Sequence, residues 1–222
     1  MDLLLYLAAL ALVFWAQFKV KGAYQRYSAV ENYRRINGAF VARRILDSQG
    51  LYDVQVEVSQ SGVLSDHFDP RTNTVRLSPK VYNDTSIASI AIAAHEVGHA
   101  IQFANSYALI TVRNTLLPLA IVSGNLGWMI LIFGLFTGSN LLFGIGILML
   151  GVIALFQLIT LPIEFDASNR ALVQLEEGGY LALDEIPDTK SMLNAAALTY
   201  VAALLATLLQ ILRFTLIANR RR

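Results

Sequence analysis

The chain has no cysteine among its 222 residues. That absence excludes a disulfide framework, a thiolate zinc site, an iron–sulfur cluster and a thiol nucleophile. Charge is also scarce, at 15% of residues against roughly 25% in ordinary soluble domains. Lys+Arg 17 nearly cancel Asp+Glu 16, whereas a nucleic-acid binder carries a basic excess, so no nucleic-acid partner is expected. There is no internal repeat and no low-complexity linker. What the chain has in surplus is apolar surface: 55% of residues are hydrophobic and the mean hydropathy is +0.53. A surplus of that size points to the lipid bilayer.

Four stretches approach the requirement for a membrane helix, about 20 apolar residues with few charges. The first runs from Leu3 to Phe18 and is closed by Lys19 and Lys21. A cleaved secretory signal carries its positive charge before the apolar run, so this one reads as a retained anchor. Leu116 to Phe136 and Leu141 to Leu161 are joined by Thr137-Gly138-Ser139-Asn140, which predicts a helical hairpin. The last, Leu193 to about Ile217, carries Thr199, Tyr200, Thr207, Gln210 and Arg213 in its interior.

The expected organisation is an anchor over 1–18, a folded segment over 19–114 and the hairpin over 115–161. A second polar segment over 162–192 and a C-terminal apolar helix over 193–222 complete it. Neither the N-terminus nor the hairpin turn carries Lys or Arg, whereas both polar segments do. The positive-inside rule then puts those segments, and any site they build, on the cytoplasmic face of the cell membrane. Arg220, Arg221 and Arg222 oppose this, because four complete crossings leave them outside. Arg34-Arg35 and Arg43-Arg44 read most simply as contacts to anionic headgroups. Asn125 and Gln157 within spans read as helix–helix hydrogen-bonding residues.

Within the first polar segment, Phe40, Val41, Ile45 and Leu46 recur at helical spacing and Gly50 ends that helix. Val54, Val56 and Val58 alternate with polar residues, the period of a half-buried strand. Gly62 to Phe68 and Thr74 to Ser78 read as two strands of a β-hairpin, turned by Asp69-Pro70-Arg71-Thr72-Asn73. From Thr85 the period becomes helical and leads into His95-Glu96-Val97-Gly98-His99.

Residues i and i+4 of a helix share a face, so His95 and His99 can occupy two corners of a zinc tetrahedron. Glu96 then stands beside them as general base. A catalytic site needs a third protein ligand, but a histidine six residues after His99 is missing because Asn105 stands there. The remaining histidine, His67, lies in the predicted hairpin. A carboxylate is the commoner third ligand. Glu164, just after Pro162 at the start of the second polar segment, is the preferred candidate, with Asp166 as the alternative. The hairpin between them returns this segment to the face that carries the histidine pair.

Asp66-His67-Phe68-Asp69-Pro70, Ala94-His95-Glu96-Val97-Gly98-His99-Ala100-Ile101-Gln102 and Leu161-Pro162-Ile163-Glu164-Phe165-Asp166-Ala167-Ser168 resemble the YugP-like family of membrane zinc metallopeptidases. Ala39 to Asp47 and Leu193 to Tyr200 are similar to it as well, so the resemblance spans nearly the whole chain. More distantly, the chain is similar to integral-membrane gluzincins of the HtpX and CAAX-prenyl-protease type. That likeness implies His95, His99 and Glu164 as ligands of one Zn2+ and Glu96 as the catalytic base. Those enzymes also place an acidic residue four positions after the glutamate to support the first histidine. Here that position is Ser168, with Asp166 two residues earlier.

The expected fold is therefore a mainly α-helical integral membrane protein with about four transmembrane helices and a small α+β zincin-like domain carrying a β-hairpin. The expected function is hydrolysis of peptide bonds in membrane or membrane-adjacent proteins, with Glu96 accepting the proton of the attacking water. His67 and Tyr200 are candidate donors to the oxyanion or liners of the cleft, and the hairpin edge is a candidate peptide-binding strand. The rival readings are a non-catalytic membrane scaffold with structural zinc and a metal transporter. The second is disfavoured because the ligands lie outside the most apolar stretches.

Overall fold

In a computed structural model that describes residues 2–62 and 65–219, the chain is a mainly helical membrane protein with a small three-stranded sheet. The elements in order are α1 (Asp2–Tyr27), α2 (Gly38–Ser48), β1 (Gln55–Val58), β2 (His67–Asp69), β3 (Thr74–Leu77), α3 (Pro79–Asn83), α4 (Ile87–Ala104), α5 (Ala108–Thr137), α6 (Asn140–Glu177) and α7 (Ile186–Asn219). Four of them, α1, α5, α6 and α7, are long and apolar enough to cross a membrane. Arg220 to Arg222 lie outside the described residues.

The chain divides into two compact units. One is helical and takes the described parts of Met1–Phe18, Ala108–Pro162 and Leu198–Arg222. Its outer surface bears large apolar side chains such as Phe136, 86% exposed, and Leu141, 73% exposed, which only a lipid solvent makes favourable. Gly138 turns the chain between α5 and α6 at φ +69, a left-handed conformation that glycine adopts without a Cβ clash. Inside, Leu131, Leu150 and Phe214 form a small buried cluster. Gln157, expected to bond across helices, instead buries an Oε1 that has no partner among the described residues.

The other unit takes Lys19–Tyr107 and Ile163–Ala197. Its sheet has the order β1-β3-β2. The hairpin β2–β3 is antiparallel, with His67 opposite Arg76, and β1 joins β3 in parallel, with Gln55 opposite Thr74. Central β3 buries Val75 and Leu77 completely. The expected first hairpin strand is shorter than the span Gly62 to Phe68, and two of that span's residues, 63 and 64, lie outside the described residues.

Asn37 caps α2 by accepting from the Phe40 N–H at 2.8 Å, and Ser86 caps α4 by accepting from the Ser89 N–H at 3.2 Å. Asn32, almost fully buried, accepts from the Ile36 N–H at 3.1 Å and donates to the Ile36 and Thr85 carbonyls. The Ile87 N–H donates to the Val30 carbonyl at 2.9 Å. These bonds fix where α4 begins.

Helix α4 buries nearly its whole circumference, from Ile87 and Ile90 to Val97, Gly98 and Gln102, which marks it as the central helix of the unit. The expected headgroup contact of Arg43 is not what the side chain does. It donates to the Asp47 carboxylate at 2.9 Å and to the Val54 and Leu51 carbonyls at 2.5 and 2.9 Å. Those carbonyls lie in the connection between α2 and β1, and a buried loop carbonyl needs a donor.

Asp66 accepts from the Ser78 N–H at 2.7 Å, tying the start of the hairpin to its end. Burial nevertheless raises its carboxyl pKa, because desolvation outweighs that bond. A raised carboxyl stabilises the fold while protonated, and this contribution is lost as pH rises through the folded pKa. Asp66→Asn keeps the acceptor without the charge. It is expected to raise the melting temperature at neutral pH and to flatten its decline above about pH 4. Thermal unfolding of both proteins across that range checks this.

Candidate metal centre

One helix brings the histidines together. His95 and His99 project from the same face of α4, their rings edge to face with centroids 4.8 Å apart. Helix α6 supplies the carboxylate. Within this unit Ile163, Ala167, Ala171 and Leu175 recur every four residues and are all buried, so Glu164 and Ser168 turn toward the same packed side. Glu164 follows Pro162 without a break in the helix, because α6 runs unbroken through Pro162. Proline removes one backbone donor, a loss that helices of membrane proteins tolerate where neighbouring groups re-satisfy the backbone.

The close approach of α4 and α6 depends on Gly98. A Cβ at that position would stand 2.6 Å from the Ala167 carbonyl oxygen and 3.2 Å from the Ala167 Cα. The glycine of the His95–His99 segment is thus the point where one helix backbone rests on the other. With that spacing, Glu164 Oε2 lies 3.4 Å from His95 Nε2 and 3.7 Å from His99 Nε2. One ligand atom from each of the three residues lies within 4.8 Å of the others.

The donor set fits zinc. Ligand bonds of 2.0–2.1 Å in a tetrahedron place neighbouring donor atoms about 3.3 Å apart. The two N···O separations, 3.4 and 3.7 Å, are close to that edge and too long for good hydrogen bonds. Three protein ligands also leave a fourth position, the pattern of catalytic rather than structural zinc. Burial opposes protonation of His99, but the carboxylates of Glu164 and Glu96 outweigh it and hold its pKa above the ordinary histidine value. Glu96 is buried beside the histidines at 9% exposure.

The outer nitrogens of both rings have partners. His95 Nδ1 is 3.2 Å from Ser168 Oγ, and His99 Nδ1 is 3.0 Å from Gln102 Oε1. Ser168, which stands where the gluzincins that the chain resembles carry an acidic residue, reaches the first histidine with its hydroxyl. Asp166 does not point at the three-residue group. It accepts from Gln102 Nε2 at 2.8 Å and from Arg170 Nε at 2.6 Å.

His67 sits exposed on edge strand β2, its Nδ1 2.7 Å from the Ser65 carbonyl oxygen, and is not part of the group. Tyr200 belongs to the helical unit. Gln102 was invisible as a site residue in the sequence, where it looks like an ordinary polar residue near a helix end. Its spacing of three from His99, which puts both on one helix face, was the signal that could have found it.

Comparison with known proteins agrees with this chemistry. The family model described as "Putative neutral zinc metallopeptidase" matches residues 2–219. A relative from Bacillus subtilis (strain 168), "Putative membrane protease YugP", is 46% identical over 213 residues, which are 96% of this chain and 94% of the relative. No solved structure matches.

Proposed function

The chain belongs to the neutral zinc metallopeptidase family, and on that premise we propose that it is a membrane-bound zinc endopeptidase of the gluzincin type. His95, His99 and Glu164 hold one Zn2+ and Glu96 is the general base. The observation that carries the reading is the convergence of two imidazole nitrogens and one carboxylate oxygen within 4.8 Å, with Glu96 one residue from the first histidine. When bound, zinc supplies Lewis acidity, polarising the scissile carbonyl and lowering the pKa of water to about 7.

The protein's own groups do the rest. Glu96 takes a proton from the attacking water and returns it to the leaving amine, one carboxylate serving as base and then acid. Strand β2 is an edge of the sheet and packs on α4 through Phe68 against Phe103, ring centroids 5.8 Å apart. An extended peptide added to that edge would gain main-chain hydrogen bonds beside the catalytic helix. His67 is the candidate on that strand for contact with the substrate.

Membrane or membrane-adjacent proteins are the substrate class, since this peptidase is itself a membrane protein. The distribution of Lys and Arg supports a catalytic group on the cytoplasmic face.

The test uses the full chain in detergent or nanodiscs. Purified protein is expected to carry one zinc and to cut an unfolded membrane-protein substrate. A chelator should abolish cleavage, and added zinc should restore it. The Glu164→Ala protein should fold yet regain neither zinc nor activity. Stoichiometric zinc with no cleavage of any peptide or protein substrate would favour a structural-zinc scaffold instead.

A further inference from the structure

Gln102 is wholly buried, and a buried amide must satisfy two donor hydrogens and its oxygen. Its Nε2 lies 2.8 Å from the Ile163 carbonyl oxygen and 2.8 Å from Asp166 Oδ2. The first partner can only accept. The second carries no proton on that oxygen, because Arg170 Nε donates to the same atom at 2.6 Å. Both amide hydrogens are therefore committed to α6, and the orientation of the amide follows from its partners. A flipped amide would set its oxygen against two acceptors. Only Oε1 remains for His99 Nδ1, 3.0 Å away, so that ring nitrogen must carry the hydrogen.

We propose that Gln102 is a positioning residue that fixes His99 as its Nδ1–H tautomer and so presents the Nε2 lone pair to the metal, with Asp166 and Arg170 holding Gln102 in the one orientation that does this. The inference rests on the metal-binding reading above for its consequence, though not for the tautomer itself. It gives Asp166 a task two hydrogen bonds away from the ligand His99. It also connects two helices through directional bonds: Arg170 and Gln102 both donate to Asp166, and His99 donates to Gln102. The same glutamine bonds the carbonyl of Ile163, the residue before Glu164, so one side chain registers ligands from both helices.

The chain has 3 histidines, so a histidine-selective 15N label gives three ring spin systems that single substitutions assign. In the zinc-free full-length protein, held at a pH alkaline enough for the ring to be neutral, His99 is expected to show the Nδ1–H pattern. Gln102→Met, similar in length but unable to accept in this way, should lose that pattern. Its zinc affinity, measured by chelator competition, should fall by about 10–100-fold, the scale known for supporting contacts of metal ligands.

A neutral His99 ring with its hydrogen on Nε2 and a bare Nδ1 in the native zinc-free protein would overturn the proposal, and that measurement needs no variant to fold. So would a Gln102→Met protein that melts earlier yet binds zinc as tightly as the native one, because that is the mark of a helix tie alone. If the native protein takes up no zinc, the metal reading fails while the tautomer measurement still decides the role of Gln102.

Discussion

Glu96→Gln retains zinc at the native stoichiometry and loses hydrolysis by roughly 100- to 10,000-fold, the range expected for removal of a general acid–base group. The substitution is nearly isosteric and removes a charge from a buried position, 9% exposed, so the fold has no cavity to fill. Zinc content by elemental analysis and kcat on one peptide substrate should separate completely. The comparison with Glu164 gives the result its meaning, because loss of that residue should remove metal and activity together. A Glu96→Gln protein that lost its zinc would make Glu96 a ligand and dismantle the proposed division of labour. Unchanged hydrolysis would remove the general base.

Gly98→Ala is expected to be far more damaging than one methyl group suggests. The added Cβ meets backbone, 2.6 Å from the Ala167 carbonyl oxygen, and neither helix has a flexible side chain there to yield. Overpacking of this sort costs typically about 1–3 kcal/mol. Here the only relief is to move α6 away from α4, which separates Glu164 and Ser168 from the histidines. Thermal stability and zinc affinity should therefore fall together, the latter by about 10–100-fold. Gly151→Ala is the control, since a Cβ there meets nothing within 4 Å. Native zinc affinity in the Gly98→Ala protein would show that the helix contact does not set the ligand geometry.

Much of the architecture could be read directly from residue patterns, and the reasons for the rest are physical. Long apolar runs revealed α1, α5, α6 and α7 because lipid demands an unbroken apolar surface. Their ends were less legible: α1 continues to Tyr27 past Lys19 and Lys21, since charges end an apolar run without ending a helix. Alternation revealed β1, but periodicity carries no information about partners, so its parallel pairing with β3 could not be read. Helix α3 is 5 residues long, too short for any period to emerge.

His95, Glu96 and His99 stand out because one helical turn holds them all. Glu164 needed the additional idea that a membrane hairpin returns the chain to the same place. The supporting bonds of Ser168 and Gln102 depend on side-chain directions across two helices, which no spacing along one strand of sequence encodes. Arg43 shows the same limit, because a basic residue next to another looks like a surface charge until its three acceptors are in view.

The division of the three-residue group between α4 and α6 has a consequence for biosynthesis. Glu164 follows His99 by 65 positions, and the whole of α5 and the first part of α6 are made in between. At the usual elongation rate of about 5–20 residues per second, some ~3–13 s pass after the histidine helix has been made before its third donor exists. During that interval the nascent chain holds only two of three donors, beside its own unfolded segments and the machinery inserting it. A peptidase assembled in this order cannot complete its metal group until the membrane hairpin has been synthesised. On the proposed reading, the order of elements along the chain would keep the catalytic group incomplete until the hairpin has been made.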